Sequence, residues 1–404
     1  MISEEIQEML ANRLVKRIEK MNEDILTIIG NRLKQIGKLS QDELHQIKQM
    51  LMYGTDLDKI AKLIADTTNV NVAEIYKIFE QEAKTNQAFA MQFYRAKQVK
   101  FVPYAENKLL QAKVRAMAQA TAMEYVNMSR TLAFVKRDKS GKIVYDNIAT
   151  AYRNAVDKAV TSISMGQTTY DEEIKRIVKE LGESGIKTVD YVNGYSRRLD
   201  SAVRQNVLEG MRNVSNELQK DFGKEFGADG VEISVHENSA PDHIDIQGHQ
   251  FSYEEFDKFQ NGITAKDYNG KVFEPVIDEI DRRSIGQYNC YHYVYTIVLG
   301  VSTPQYTEEE LEKINKRNID GFEYKGKKYT MYEGTQMQRQ IETEIRKNED
   351  IQILANSAGD LQTAGQANKA IRILKSKYKQ LSRASGLPNE LLSRTGYRIV
   401  AKQK

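Results

Sequence analysis

Proline is almost absent from the first half of this chain. Of the five prolines among 404 residues, only Pro103 precedes residue 241. Because proline in a helix interior removes a backbone hydrogen bond and clashes with the turn before it, a long stretch without proline permits long helices. We therefore expect the first 220 residues to be mainly helical, interrupted at residues 138–141 and 182–185, where glycine, serine and charged residues gather.

The first 36 residues carry apolar side chains at steps of mostly three and four. This spacing predicts an amphipathic helix with one buried stripe, and its departures from a strict 3.5-residue repeat favour a bundle helix over a coiled coil. A capping-box pattern from Ser40 to Glu43 predicts another helix, and a further one is expected to begin at Asp56. The stripe consists of Ile6, Leu10, Leu14, Ile18, Met21, Ile25, Ile28, Leu33 and Ile36.

The sequence pattern changes near residues 226–230. Residues 231–235 alternate in polarity, residues 291–301 are rich in β-branched and aromatic side chains, and residues 322–329 predict a hairpin with a Lys-Gly turn. The predicted fold is α+β: a mostly α-helical N-terminal domain is followed by a smaller α+β domain with a short antiparallel sheet and C-terminal helices. Those later helices are expected at 307–318, 332–355 and 366–382.

The chain is long enough for two or three domains. We place an N-terminal helical arm or bundle at 1–100, a helical core domain at 101–228, and the α+β domain with a His/Cys cluster and a basic C-terminal helix at 229–404. No apolar stretch is long enough to span a bilayer and no secretion signal is found, so neither a membrane protein nor a Sec-secreted one is expected. A single cysteine cannot form an internal disulfide, which fits assembly in a reducing compartment.

The net charge of +3 conceals strong segregation of charge along the chain. Residues 95–137 carry a net +7, residues 231–281 a net −9, and residues 311–404 a net +9. Basic residues on one helix face would bind double-stranded DNA without regard to sequence, because they release its counterions. The alternatives are an ordinary solvated surface, or a basic tail that packs on the acidic segment. The candidate DNA contacts are Lys108, Lys113, Arg115, Lys369, Arg372, Lys375, Lys377, Lys379 and Arg383.

Side chains able to bind a metal lie in two short segments about forty residues apart. His236 and His243 are in the first segment, and Cys290 and His292 are in the second. Imidazole and thiolate are the ligands that zinc favours, so the four predict a closed tetrahedral zinc site that joins two loops and stabilises the fold. The alternative is that these side chains hydrogen-bond buried turns, with His249 simply exposed.

A catalytic use of the same segments is also open. A histidine near an acidic side chain of the first segment could act as a general base, with Arg282 or Arg283 stabilising a phosphorane during RNA cleavage. Cys290 with a histidine would suit a nucleophile–base pair, although no oxyanion-hole motif accompanies it. Nucleotide-binding loops and His-Glu-x-x-His motifs are absent from the sequence.

The two histidine-bearing segments resemble sequence blocks of the phage minor capsid protein family, found in tailed phages and prophages of Gram-positive bacteria. Two further stretches resemble the helical core and the C-terminal helix of that family. The four stretches occur in the expected order and lie within residues 145–350. They are His236-x6-His243-x3-Gln247-Gly248 with Phe251, 286–292, 185–191 with 199–204, and 329–336 with Arg339 and Glu342.

This family is similar to the head-morphogenesis proteins named after phage Mu protein F. Those relatives often carry a Cys-x-x-Cys segment and a later His-x-Asn-Cys-Arg-Cys segment. His236 and His243 stand where the first pair would be, and Cys290 and His292 where the second would be. The resemblance therefore implies a metal site with exchanged ligands. Tyr291 departs from the pattern, because the family usually has arginine there.

The resemblance implies a minor head protein inside the procapsid, at or near the portal, that assists head assembly, DNA packaging or ejection. The implied partners are the portal protein, other head proteins and double-stranded phage DNA, with no membrane in the assembled state. Such a protein would be assembled in the host cytoplasm and would reside in the head interior of the virion, without enzymatic activity. An alternative comes from toxin modules similar to the Mu F-type proteins: a nuclease-like C-terminal domain that cleaves RNA with His243 or His292 and Arg282.

Overall fold

The computed structural model of the protein describes residues 4–38, 52–97, 100–138, 140–164, 169–190, 194–287 and 290–389. The predicted capping box at Ser40 and Glu43 lies outside these residues. Within the described ranges the chain forms ten α-helices and five small antiparallel sheets, so the predicted α+β fold is confirmed.

The helices dominate the first half and return at the end of the chain. They are α1 (Glu4–Ile36), α2 (Met52–Lys97), α3 (Lys108–Arg130), α4 (Ile148–Ser164), α5 (Tyr170–Ser184), α6 (Leu199–Glu225), α7 (Tyr253–Gln260), α8 (Glu308–Asp320), α9 (Met331–Ala358) and α10 (Leu361–Ser385). The strands are β1 (Leu132–Arg137), β2 (Ile143–Asn147), β3 (Lys187–Val189), β4 (Ser196–Arg198), β5 (Gly230–Ile233), β6 (Gln250–Ser252), β7 (Ala265–Lys266), β8 (Val272–Phe273), β9 (Val276–Ile277), β10 (Ile280–Asp281), β11 (Val294–Ile297), β12 (Phe322–Tyr324) and β13 (Lys327–Tyr329).

The predicted apolar stripe of α1 is confirmed. Seven of its nine residues are buried in the main core, whereas Ile6 is exposed and Ile28 is partly buried. Along its length α1 contacts α2, α4, α6 and α9, so this one stripe is shared among several helices. The described part of α2 begins at Met52, four residues before the expected start at Asp56, so Gly54 lies inside a helix rather than before it.

Four short strands interrupt the helices between residues 132 and 198. They form an antiparallel sheet in the order β2-β1-β3-β4, with Val135 of β1 opposite Tyr145 of β2. The predicted break at 138–141 is the turn between β1 and β2, where Asp138 Oδ1 accepts hydrogen bonds from the backbone. Only helices and breaks are predicted for this region, because strands of three to six residues show too little alternation to stand out between long helices.

The C-terminal helices complete the core that the N-terminal helices begin. α9 packs against α1 and α5, and its last turns contribute apolar side chains to the main core. Two glycines allow this close approach: a Cβ at Gly182 would lie 2.6 Å from Ile351 Cγ1, and a Cβ at Gly30 would lie 2.5 Å from Ser357 Cβ. Gly182 is therefore a contact residue inside α5, and the predicted break comes only after Ser184. We call α1 to α6, β1 to β4, α9 and α10 the helical body.

A buried ion-pair cluster fastens α9 to the rest of the helical body. Arg198 donates to Asp350 of α9 at 2.5 Å and to Asp200 of α6 at 3.3 Å. Burial disfavours the ionised forms, yet the charge of Arg198 holds the pKa of Asp200 well below its usual range. The cluster joins residues on both sides of the predicted domain boundary at 228; the boundaries themselves stay a prediction.

Residues 230–306 form a second, smaller unit, which we call the His–Cys lobe. β5 lies between β11 and β6 in a three-stranded sheet, and α7 with the strand pairs β7–β8 and β9–β10 completes the lobe. β5 confirms the strand predicted at 231–235, while β11 occupies only four residues of the predicted 291–301. The lobe has its own apolar core, which includes Phe251, Phe273 and Cys290.

Two local predictions beyond the lobe are confirmed. Thr307 and Glu310 form a reciprocal capping box at the start of α8. β12 and β13 form the predicted hairpin, in which Lys325 and Gly326 have φ values of 52° and 74°. Both φ values lie in the left-handed region that a tight two-residue turn requires.

Candidate metal centre

Two segments of the His–Cys lobe meet beside the paired strands β5 and β11. Past the ends of these strands, the Ser234 N–H donates to the Tyr293 carbonyl oxygen at 2.8 Å, and the Tyr293 N–H donates to Ser234 Oγ at 2.8 Å. This pairing places Cys290 and His292 next to the loop that follows β5. Within that loop, a 3₁₀ turn at Pro241–His243 ends at the residue that faces them.

Three of the four predicted metal ligands lie together. The Nδ1 atoms of His243 and His292 are each 3.5 Å from Cys290 Sγ, and the candidate ligand atoms of the three residues all lie within 4.8 Å of one another. Each of the three residues is at most 2% exposed. We call His243, Cys290 and His292 the His–Cys–His cluster. Its donor types are those that zinc prefers in proteins.

Each histidine of the cluster is held from its far side. His243 Nε2 lies 2.7 Å from the carbonyl oxygen of Arg283, and His292 Nε2 lies 3.3 Å from Gln247 Oε1 and 3.4 Å from Ser239 Oγ. Metal-binding histidines are usually oriented in this way by a hydrogen bond to the second ring nitrogen. The outer contacts therefore direct both Nδ1 atoms toward the cysteine.

The cluster favours a thiolate. Burial alone would raise the pKa of Cys290 and lower that of His243, because burial disfavours charge. Hydrogen bonds with His243 and His292 nevertheless hold the pKa of the Cys290 thiol well below its usual range, and the contact with Cys290 raises the pKa of His243. A thiolate is the form of cysteine that binds metals and attacks electrophiles.

Two ion pairs connect residues 282–283, which follow β10, to the loop that contains His236 and His243. Asp242 accepts hydrogen bonds at 2.7 and 2.8 Å from the guanidinium of Arg283, and Asp245 accepts two at 2.6 Å from that of Arg282. Burial opposes ionisation of Asp242, but the hydrogen bonds from Arg283 lower its pKa. Arg282, proposed for RNA cleavage in the nuclease alternative, is bound by Asp245 and is not among the residues that line the adjoining cleft.

A cleft of about 1220 Å³ opens beside the cluster. Its walls come from α1, from both segments of the lobe and from α9, and the three cluster residues lie in its lining. Among the charged side chains of its described lining, four are basic and Glu8 is the one acid. These basic residues are Arg13, Lys16, Arg283 and Arg339.

His236 lies on the wall of the cleft, outside the His–Cys–His cluster. Its ring stacks on Tyr291 at a centroid distance of 5.3 Å and lies 6.0 Å from the ring of His292. Its Nδ1 accepts a hydrogen bond from the Asn238 N–H at 3.1 Å. The role of His236 as a fourth ligand stays a prediction.

Tyr291 is surrounded by arginines. The guanidinium of Arg212 lies 4.7 Å from the centre of its ring, and Arg339 Nη2 lies 3.3 Å from its hydroxyl oxygen. Arg204, which is paired with Glu8, also hydrogen-bonds Tyr291. The tyrosine therefore accepts contacts from cations at the position where the resemblance leads one to expect an arginine.

His249 belongs to a different part of the lobe. Its Nδ1 lies 2.7 Å from Asp267 Oδ2, and its Nε2 lies 3.2 Å from Lys271 Nζ. The alternative prediction that His249 is simply exposed is wrong, because the residue is only 6% exposed. It is a buried histidine with partners of its own and no part in the cluster.

The basic residues predicted on the last helix lie along α10. Five of the six fall within an arc of about 120° at 100° per residue, and Lys377 lies outside this arc. Lys369, Arg372 and Lys379 are exposed and form no ion pair within the described ranges. The five residues in the arc are Lys369, Arg372, Lys375, Lys379 and Arg383.

The basic residues predicted on α3 do not share one environment. Lys113 Nζ pairs with Glu217 at 3.1 Å and with Asp221 at 2.5 Å, so its charge is neutralised by α6. Lys108 and Arg115 are exposed at a second cleft on the opposite side of α3 from Lys113. Of these three, only Lys108 and Arg115 present their charge outward.

Sequence reasoning missed several residues of the site. Gln247 and Ser239 hold His292, and Arg339 reaches the cleft from α9, more than forty residues after the cluster. Gln247 belongs to the His-x3-Gln-Gly run noted in the sequence, but the sequence alone does not indicate a role for this glutamine. No sequence pattern indicates that α1 and α9 would form walls of this site.

Within the part of the chain that the structure describes, no helix is both long and apolar enough to cross a membrane. No curated protein and no solved structure matches the chain. A family model described as phage minor capsid protein 2 matches residues 4–382. Because this match covers nearly the whole sequence, the resemblance noted in its motifs is confirmed, and the chain belongs to the phage minor capsid protein 2 family.

Proposed function

We propose that this protein acts inside the phage head at or near the portal, where it assists head assembly, DNA packaging or ejection. Membership of the family gives it a structural role in the capsid, a place in the virion and association with other head proteins. The observation that carries the more specific proposal is the separation of charge between an acidic lobe and a basic helix. One surface is suited to protein and the other to DNA. No catalytic step is part of this role.

The acidic surface of the lobe supports a protein contact. The β9–β10 turn presents Asp278, Glu279 and Asp281, all exposed, together with the exposed apolar side chains of Val276 and Ile280. Apolar groups bordered by carboxylates are typical of surfaces that bind a partner with basic residues at its rim. We assign this turn as the part that contacts the portal protein.

Capture of the portal protein by the tagged full-length chain tests this assignment. We expect the portal protein of the same phage to be retained, and retention to fall in the variant Asp278→Asn, Glu279→Gln, Asp281→Asn. The matched control is Glu308→Gln, Glu309→Gln, Glu312→Gln, which removes the same charge from the exposed side of α8. Failure to retain the portal protein would contradict the proposed location, and equal losses in both variants would contradict the assigned surface.

The outward face of α10 supports a DNA contact. Lys369, Arg372 and Lys379 lie close together on that face, exposed and without carboxylate partners in the described ranges. Phosphate contacts from such residues depend strongly on salt and not on base sequence. Since α10 also packs against α9, the charges are held on a rigid element.

A gel shift with double-stranded DNA at several salt concentrations tests this contact. Reversal of the three charges (Lys369→Glu, Arg372→Glu, Lys379→Glu) should weaken binding and reduce the dependence of log affinity on log salt by about 0.9 for each phosphate that the variant no longer binds. The control Lys313→Glu, Lys316→Glu, Lys327→Glu makes the same change in net charge elsewhere. Equal effects of the two variants would show that net charge, rather than α10, governs binding.

One observation favours a second function, RNA cleavage. The His–Cys–His cluster lines a cationic cleft, as the active site of a nuclease would. The full-length chain should then cleave labelled RNA, and the variant His292→Ala should not. Arg282 is bound by Asp245, so Arg339 is the better candidate for contact with a phosphate. Intact RNA after prolonged incubation, with and without chelator, would exclude this function.

A further inference from the structure

We infer that the His–Cys–His cluster binds one zinc ion through three protein ligands, and that the fourth position opens into the cleft and accepts an oxyanion of the phosphate class. This differs from the closed four-ligand site predicted from the sequence. It does not depend on the proposed role at the portal. The ligand atoms would be His243 Nδ1, Cys290 Sγ and His292 Nδ1, the atoms that face one another in the cluster.

The distances within the cluster suit a tetrahedral ion. Zinc binds sulfur at about 2.3 Å and nitrogen at about 2.0–2.1 Å, so two such ligands at a tetrahedral angle lie about 3.5 Å apart. The two distances from Cys290 Sγ to the histidine Nδ1 atoms are each 3.5 Å. Each of these two sulfur–nitrogen pairs is therefore already at the separation that a bound ion requires.

The hydrogen bonds around the cluster place the lone pairs correctly. A backbone carbonyl only accepts, so the contact of His243 Nε2 with the Arg283 oxygen requires a proton on Nε2 and leaves the lone pair of the neutral ring on Nδ1. Gln247 does the same for His292. Its Nε2 donates to Asn315 Oδ1 at 2.7 Å, which leaves Oε1 to accept from His292 Nε2.

The orientation of Gln247 is itself fixed from two sides. The backbone N–H of His236 donates to Gln247 Oε1 at 2.8 Å, so the amide cannot rotate without breaking this bond and the one to Asn315. Both histidines are thus held in the tautomer whose Nδ1 faces the cysteine. Two independent oxygen acceptors thus select the same tautomer in both histidines. Metal ligands are expected to be held in this way, whereas histidines that only fill a core do not need it.

The open position follows from the location of the cluster in the wall of the cleft. His236 is the only further histidine or cysteine in the described lining, and its ring is 6.0 Å from that of His292. Lys16 and Arg339 reach the same cleft, and within the described ranges neither pairs with a carboxylate. Guanidinium and ammonium groups in the cleft favour a phosphate-type ligand, because arginine matches its oxygen geometry.

Metal analysis of the purified full-length chain tests the ligands. We expect one zinc per chain, and an affinity at least about 10-fold weaker after Gln247→Ala, as is typical for residues that orient a ligand. Cys290→Ser and His292→Ala should lose the metal. His249→Ala is the matched control, since it removes a buried histidine of the same lobe that lies outside the cluster, and it should keep the metal. Absence of stoichiometric zinc in the parent chain, or its retention in Cys290→Ser, would overturn the inference.

Cobalt substitution tests the open position. The visible spectrum of the Co²⁺ form should show a thiolate-bound tetrahedral ion and should change on addition of inorganic phosphate. His236→Ala should leave the spectrum of the phosphate-free form unchanged, and Arg339→Gln should weaken the phosphate response several-fold. A spectrum that phosphate does not alter, or one that His236→Ala alters, would show that the site is closed. A response to acetate as strong as that to phosphate would contradict the ligand class.

Discussion

The helical body and the His–Cys lobe are stabilised in different ways. Among the described residues, the main core contains 51 buried apolar side chains, whereas the core of the lobe contains eleven. Ten buried polar or charged residues accompany those eleven within 230–306. The body therefore depends mainly on apolar burial, and the lobe depends on hydrogen bonds and ion pairs between loops. A small unit with so little apolar core is the kind that a metal ion commonly stabilises.

The largest effect is expected at the buried ion-pair cluster of Arg198, which is an exception in a body stabilised mainly by apolar burial. Arg198→Met removes the cation that pairs with Asp350 and Asp200, each 1% exposed. Asp200 keeps a longer contact with Arg346 at 3.7 Å, but loss of the shorter pairs with Arg198 should still lower the free energy of unfolding by about 3–5 kcal/mol. Chemical denaturation measures this, with Lys313→Met, which breaks an exposed pair with Glu309, as the control. A small decrease would mean that apolar contacts alone hold α9.

The second-largest effect is expected from chelation, which should destabilise the lobe and not the helical body. If the lobe binds zinc, free metal at several hundred times Kd stabilises it by about 3–4 kcal/mol, and a chelator removes that contribution. Hydrogen exchange should then become faster in β5, β6 and β11 and stay unchanged in α6. Faster exchange throughout the chain would show that the two regions unfold as one unit. That result would contradict a separate source of stability for the lobe.

Glu82 of α2 should give a smaller, pH-dependent effect. Burial raises its pKa to about 7, although hydrogen bonds from Asn86 and Gln7 lower it. In the unfolded chain the carboxyl loses its proton near pH 4.3, so folded-state stability falls as pH rises from there to about 7 and stays lower above it. Glu82→Gln should therefore stabilise the protein by about 1–3 kcal/mol at pH 8 and have little effect at pH 4.

Thermal unfolding of Glu82→Gln at the two pH values measures this effect. The variant Asn86→Asp should have the opposite effect on stability, because it places a second carboxyl beside that of Glu82. Equal shifts of Glu82→Gln at pH 4 and pH 8 would mean that the glutamine changes packing and not ionisation.

The smallest effect on stability is expected on the outer face of α10. Lys369→Glu, Arg372→Glu and Lys379→Glu alter exposed side chains away from the core, so together they should change the free energy of unfolding by less than about 1 kcal/mol. The same variant is expected to bind DNA more weakly. A large decrease in stability would show that this face is part of the body's packing.

Local patterns predicted the elements that depend on neighbours in sequence. The stripe of α1, the capping box at Thr307 and the turn at Lys325 each need only a few adjacent residues to form, and all are confirmed. The proximity of His243 to Cys290 and His292 could also be predicted, because zinc binding favours these residue types. Whether they bind the metal stays a prediction.

Features that depend on distant contacts could not be predicted. The pairing of β1 with β3 joins residues more than fifty positions apart, and the strands are too short to show their period. The packing of α9 on α1 depends on Gly30 and on residues more than 300 positions later. The link between the two regions, in which the Tyr293 hydroxyl donates to Gln7, likewise has no sequence pattern.

The position of α9 has a consequence for synthesis of the protein. Its last turns add to a core whose preceding helices end at Glu225, so about 130 residues must be added before the groove between α1 and α5 can be filled. At about 5–20 residues per second, the parts of α1 and α5 that α9 later covers stay exposed for roughly 6–26 s on the ribosome. We expect chaperones to bind the nascent chain during that interval, and to cover the α1–α5 groove.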